Sequence, residues 1–221
     1  MTEFIAVEGG DGVGKNTISK LLLVELKSLG YSARQIDFPQ YGKTLAGHAL
    51  GEFLGGRFKG VSTRTAAALY ALDRFESLQM HEWATSGEDY VIFDRYIASN
   101  VAYQSAKVPE DQRHELQDWI VDLECRVYGL PKPHVSVLLR LPHSKAKELI
   151  KKKDLRSYTD LKFDIHEEDK TLQDELRAVY DDLAERCVLG SWIPVDVSER
   201  SILKKPNSIV QEILDSVLAR K

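Results

Sequence analysis

Cysteine is almost absent from this chain: two residues in 221, Cys125 and Cys187. They stand in unrelated contexts, so neither a disulfide framework nor a metal or redox motif can be assembled from them. Two reduced thiols in a cytoplasmic protein are the expectation. A basic excess is also lacking: 30 Lys and Arg face 34 Asp and Glu, a formal net charge of −4. That balance argues against a nucleic-acid partner, and any polyanion must be held by a local site. No apolar stretch approaches the roughly 20 residues that span a bilayer, so no membrane association is expected. Residues Met1–Val7 are apolar apart from Thr2 and Glu3, but have no basic n-region and no cleavage site, and are not read as a signal peptide. Repeats and low-complexity linkers are missing too, which leaves one domain over residues 1–221 as the expectation.

What the chain does contain is a regular alternation of strand-like and helix-like segments, with enough hydrophobic residues (43%) for a sizeable core. Strands are expected at Phe4–Glu8, Ser32–Phe38, Tyr90–Phe93, Val135–Leu141 and Trp192–Val197. Tyr90–Phe93 and Val135–Leu141 are nearly continuous apolar runs, as strands buried on both faces require. Helices are expected at Lys15–Leu29, Thr44–Leu54, Thr65–Ala84, Asn100–Ala106, Glu110–Tyr128, His143–Lys153, Glu167–Leu189 and Ile209–Leu218. This order implies an α/β fold of three layers, a five-stranded parallel sheet flanked by helices. Ligands of such sheets lie at the carboxyl ends of the strands, here just after Glu8, Phe38, Phe93 and Leu141.

The first strand end carries Gly9-Gly10-Asp11-Gly12-Val13-Gly14-Lys15-Asn16-Thr17, which fits G-x-x-x-x-G-K between a strand and a helix. Glycines let the backbone wrap a phosphate, and successive N–H groups form an anion nest. The following helix points its positive end at the same place, and Lys15 supplies a charge for the β and γ phosphates of ATP. The residue after the lysine is usually Ser or Thr, whose hydroxyl binds Mg²⁺; here it is Asn16. At the third strand end, Asp94 stands in the position of a Walker-B carboxylate for Mg²⁺, and Arg95 offers a two-pronged phosphate clamp. At the second, Phe38-Pro39-Gln40-Tyr41 turns two aromatics toward the same edge. Tyr70 and Arg74 are four apart on one helix face, an aromatic plane beside a guanidinium, suited to a nucleobase.

Taken together, these motifs resemble those of the thymidylate kinase family. The resemblance rests on Glu8–Lys15, Phe38-Pro39, Leu72-Asp73-Arg74 and the string Asp94-Arg95-Tyr96-Ile97-Ala98-Ser99-Asn100-Val101-Ala102-Tyr103-Gln104. Gly129-Leu130-Pro131-Lys132-Pro133 and Asp164-Ile165-His166-Glu167 extend it to about residue 168. It implies a P-loop kinase that moves the γ-phosphoryl group of ATP to dTMP with Mg²⁺, as a cytoplasmic homodimer. It implies a thymine pocket of Phe38, Tyr70, Arg74 and Asn100, with Tyr103 under the sugar and Arg95 on the acceptor phosphate. Asp11, Tyr41, Ser99, His166 and Glu167 complete the implied acceptor site. Asp11, Asp94 and Glu167 are the implied metal set, and Lys15, Asp11, Asp94, Arg95 and Arg156 the implied catalytic set. The polar segment of about residues 151–166, with Lys151, Lys152, Lys153 and Arg156, is the implied lid over ATP.

Three positions depart from the family pattern: Asn16, Asp37 in place of an arginine before Phe38, and His166 in place of an aromatic. His166 is not read as a general base, because a phosphate acceptor is already ionised and needs none. Two rival readings stand beside this one. Another nucleoside or nucleoside-monophosphate kinase is the first; a nucleoside acceptor needs a base, and Asp37 lies near the required place. A non-catalytic nucleotide-binding protein is the second, invited only by Asn16.

Overall fold

The structure, a computed structural model, describes residues 2–85, 87–142, 170–199 and 202–220. Five parallel strands form the central sheet: β1 (Glu3–Glu8), β2 (Ala33–Asp37), β3 (Tyr90–Asp94), β4 (Val135–Arg140) and β5 (Ser191–Asp196). Their order is β2-β3-β1-β4-β5, so β1 lies between β3 and β4. Val7 pairs with Asp94 and Glu8 with Leu138, which brings the loops after β1, β3 and β4 to one edge.

The period of two along each strand explains the three layers. Phe4, Ala6, Val91, Phe93 and Leu138 face one core. Ile5, Val7, Tyr90, Ile92, Val137 and Leu139 face the other. The second core is closed by α1 (Lys15–Ser28), through Ile18, Leu22 and Leu26 at intervals of four, and by the C-terminal helix α7 (Pro206–Leu218). The first is closed by α4 (Ile97–Ser105), α5 (Glu110–Val121) and α6 (Lys170–Glu185). A smaller cluster joins α2 (Leu45–Leu54) to α3 (Thr63–His81): Leu50, Phe53, Leu54 and Ala66, with Tyr41 and Tyr70 packed against it.

All five expected strands are present, and the helix boundaries carry the differences. Helix α3 starts two residues earlier than expected, because Ser62 caps it by accepting from the Thr65 N–H at 3.1 Å. It stops at His81, before Trp83, whose side chain is wholly buried in the first core. Helix α4 starts at Ile97 rather than Asn100, which puts Ser99 and Asn100 in its first turns. The expected continuous helix Glu110–Tyr128 is in fact α5 followed by a π-helical segment, Asp122–Val127, where Tyr128 N–H donates to Leu123 O five residues back at 3.0 Å. A short antiparallel pair, β6 (Ser198–Glu199) and β7 (Ile202–Leu203), was not expected. The expected helix His143–Lys153 and the segment 151–166 lie outside the described residues.

Candidate active site

The loop after β1 is built as the glycine pattern demands. Gly9 has φ 137°, and a Cβ there would meet the carbonyl oxygen of Leu139 at 2.5 Å, so no larger residue fits. Lys15 is folded over the loop and donates to the carbonyls of Gly9 (2.8 Å) and Gly10 (2.6 Å). No side chain caps α1, which leaves its amino end for an anion. Asn16 and Thr17 sit exposed on its first turn.

Arg95 occupies the left-handed region at φ 67°, and its N–H donates to Val7 O at 3.1 Å across β3 and β1. Its guanidinium pairs with Asp11, donates from Nη1 to the Tyr103 hydroxyl at 3.1 Å, and covers the Tyr103 ring at 5.2 Å. The other oxygen of Asp11 accepts from Gln173 at 3.1 Å. Burial alone would raise the Asp11 pKa, but Arg95 and Lys15 outweigh it and hold the carboxyl below the usual range. Arg95 is lifted well above its ordinary value: burial works against its charge, and Tyr103 and Asp11 more than offset that.

Glu8 underlies this cluster with no accessible surface. It accepts from Tyr96 N–H (2.9 Å), Ser99 Oγ (2.5 Å) and the Tyr180 hydroxyl (3.1 Å). Burial raises its pKa, moderated by the bonds from Ser99 and Tyr96 and by Arg95 and Lys15 nearby. Glu8 therefore fixes the turn that aims Arg95.

A second group lies around the end of β2. Phe38 is buried against Phe93 and Tyr96, and the Arg74 guanidinium stands 5.8 Å from its ring centre. Arg74 is 2% exposed and forms a two-pronged pair with Glu124, through Nε at 2.5 Å and Nη2 at 2.6 Å. Asn100 donates to the same carboxylate at 2.8 Å and to Ala67 O at 2.9 Å. Asp73 accepts from Gln40 N–H at 3.0 Å and from Thr44, and so ties the Phe38–Tyr41 turn to α3. Burial raises its pKa, and the bonds from Thr44 and Gln40 oppose that rise.

The structure thus brings Asp11, Lys15, Arg95, Ser99 and Tyr103 into one group and Phe38, Arg74 and Asn100 into a neighbouring one. Tyr41 and Tyr70 sit in the α2–α3 cluster. Asp94 is buried at the end of β3, between Val7 and Asp37. Arg156, His166 and Glu167 lie outside the described residues. Sequence reasoning gave no role to Glu8, Asp73, Glu124, Gln173 or Tyr180. For Glu124 a signal existed: Leu116, Ile120 and Glu124 repeat every four residues, a carboxylate on the buried stripe of an amphipathic helix.

Beside the phosphate loop is a cavity of ≈ 330 Å³, lined by Gly10, Asp11, Val13, the Leu138–Pro142 segment, Gln173 and Tyr180 on α6 and Asp196 at the end of β5. Among the described residues, no group of three or more His, Cys, Asp or Glu could hold a metal by itself. Mg²⁺ characteristically takes one or two carboxylates and completes its shell with phosphate oxygens and water; Asp11 and Asp94 are the carboxylates at these strand ends, and both oxygens of Asp11 are engaged by Arg95 and Gln173. No helix among the described residues is long and apolar enough to cross a membrane.

The family model for thymidylate kinase matches residues 7–204. The chain is 35% identical over 193 residues to a thymidylate kinase of Mycobacterium tuberculosis, covering 86% of this chain and 90% of that one. It is 30% identical over 211 residues to a probable thymidylate kinase of Methanocaldococcus jannaschii, covering 94% and 93%. Among solved structures, the thymidylate kinase of Candida albicans shares the fold with a TM-score of 0.73 at 21% identity, over 99% of this chain and 92% of that one. A family match along most of the chain, joined to a phosphate loop and an Asp11–Arg95 cluster at one sheet edge, means that this chain belongs to the thymidylate kinase family.

Proposed function

We propose that this family member, an enzyme transferring the γ-phosphoryl group of ATP to dTMP to give ADP and dTDP, divides the work between two sides of its phosphate loop. The observation that carries the reading is Arg95, held on Asp11 and Tyr103 beside Lys15. A guanidinium that spends one N–H on a carboxylate and one on a hydroxyl is pre-aimed and keeps further N–H donors for the acceptor phosphate. The acceptor oxygen is already ionised, so positioning and charge neutralisation carry the rate rather than a base. Lys15 leaves the carbonyls of Gly9 and Gly10 for the β and γ phosphates of ATP. Residues 9–17 cradle those phosphates, and the cavity toward β4 and β5 takes the rest of the donor nucleotide. Mg²⁺, held by Asp11 and Asp94 with phosphate oxygens, supplies further neutralisation of phosphate charge when bound.

On the acceptor side Phe38, Tyr41, Tyr70, Arg74 and Asn100 receive the thymine, and Ser99 and Tyr103 the sugar and phosphate. Arg156, His166 and Glu167 join the set on the family resemblance alone, with Arg156 beside Lys151, Lys152 and Lys153 among the cations of the implied lid of about residues 151–166. The whole chain acts as one kinase domain, in the cytoplasm, as a homodimer.

The test is Arg95→Ala in a coupled ADP-release assay. The expected result is a fall of roughly 10²-fold or more in kcat/KM for dTMP, with the KM for ATP little changed. Near-normal turnover of dTMP by the variant would remove Arg95 from the acceptor site.

A further inference from the structure

Arg74, Asn100 and Glu124 form a closed polar unit inside the first core, and its chemistry is one-sided. Glu124 has no accessible surface, Arg74 and Asn100 are each 2% exposed, and all three hydrogen bonds that Glu124 receives from them end on its carboxylate oxygens. The Asn100 amide is held at its nitrogen by two groups that can only accept, the Glu124 carboxylate and the Ala67 carbonyl. That contact fixes which way the amide points. Its Oδ1 is buried and has no hydrogen-bond partner among the described residues. Arg74 has spent Nε and Nη2 on the same carboxylate, so Nη1 is the nitrogen left to reach a ligand. A buried acceptor without a donor is destabilising, and a ligand with a matching N–H recovers that cost.

We propose that Glu124 is a positioning residue that sets the hydrogen-bonding polarity of the acceptor pocket, presenting Asn100 as an acceptor and Arg74 as a donor. This rests on the acceptor site being the one proposed above. A thymine or uracil ring offers N3–H and O4, a donor and an acceptor side by side, and meets both groups. A cytosine ring offers a bare N3 and a 4-amino group, and meets acceptor with acceptor and donor with donor. Rejection of the wrong edge by unpaired buried polar groups is a large effect, up to 10⁴-fold or more in sites built this way.

Glu124 carries this discrimination because its oxygens receive donors only. In Glu124→Gln one oxygen becomes an NH₂. Placed at Oε1, the NH₂ faces the Asn100 amide and the Arg74 Nη2; placed at Oε2, it faces Arg74 Nε. The first arrangement turns the Asn100 amide over, and the second pushes the guanidinium away. Either one blurs the edge that the pocket reads. Glu124 lies in the π-helical segment Asp122–Val127, at the point where α5 ends.

The experiment compares kcat/KM for dTMP, dUMP and dCMP in the wild type, Glu124→Gln and Glu124→Asp, with the KM for ATP as control. The ratio of dTMP to dCMP is independent of the fraction of folded enzyme, and Glu124→Asp keeps the charge if the Gln variant does not fold. The expected result is a fall in that ratio of at least ~10-fold in Glu124→Gln and a smaller one in Glu124→Asp, whose oxygens also only accept, with dUMP falling alongside dTMP and the KM for ATP within about twofold. An unchanged ratio, or an equal loss for all three acceptors, would overturn the proposal and leave Glu124 a structural residue. A wild type that turns over dCMP rather than dTMP would instead overturn the acceptor-site reading on which the proposal rests, and the wild-type arm alone reveals that.

Discussion

Glu8 stands at the end of an apolar strand, and nothing in FIAVE distinguishes it from a surface residue that begins a loop. Its role emerges only when Tyr96, Ser99 and Tyr180, distant in sequence, meet its two oxygens. Because its folded pKa is raised, chiefly by burial, the native state holds the proton more tightly than the unfolded chain. Its contribution is fully present below the ordinary glutamate value of 4.5 and is lost as pH rises through the folded value. Glu8→Gln carries no such titration. The difference in melting temperature, variant minus wild type, is therefore expected to grow between pH 5 and pH 8 in thermal unfolding. A difference that shrinks as pH rises would contradict the assignment. Lys15, Arg95 and Asp94 were legible from sequence because each closes a motif with a mechanical reason. Asp73 was not, because a carboxylate in a helix reads as solvated unless its partner is known.

Among the elements, the strands were legible and the helix ends were not. A strand buried on both faces announces itself as an apolar run, whereas a helix boundary depends on a cap such as Ser62 or on packing such as that of Trp83. The order β2-β3-β1-β4-β5 was not legible, since any parallel arrangement satisfies the same periodicity. Helix α2 shows how an element positions the site. Thr44 caps it, Gly47 N–H donates to Thr44 Oγ1 at 2.8 Å, and Thr44 also bonds Asp73. A Cβ on Gly47 would lie 2.3 Å from Gln40 O and 2.5 Å from Thr44 Oγ1. Backbone oxygen cannot swing aside, so the overpacking cost of Gly47→Ala falls at the upper end of about 1–3 kcal/mol. That exceeds the ~1 kcal/mol that alanine gains over glycine in a helix. The expected outcome is a melting temperature lower by several degrees and a raised KM for dTMP, because the Phe38–Tyr41 turn must move. A variant as stable as the wild type would show that α2 is not wedged against that turn.

At the scale of the whole molecule, the two rows of side chains along each strand account for the two cores, and the shared strand edge accounts for the meeting of phosphate loop, Arg95 and acceptor pocket. The helices α3 and α5 keep half-buried apolar side chains, among them Phe75 and Trp119. A homodimer is expected to give a light-scattering mass near twice the 25.0 kDa chain, and a mass of one chain would rule it out. The fold class was legible from the alternation of segments, and the acceptor from the D-R-Y-x-x-S-N-x-A-Y-Q string. The cavity beside the phosphate loop, which shares Asp11 with the Arg95 pair, was legible only from the structure. The most direct measurement is ADP release with ATP and Mg²⁺ against dTMP, dUMP, dCMP, UMP, thymidine and no acceptor in parallel. The account predicts turnover with dTMP well above every other acceptor. Turnover led by thymidine or UMP, or none with any acceptor, would contradict it.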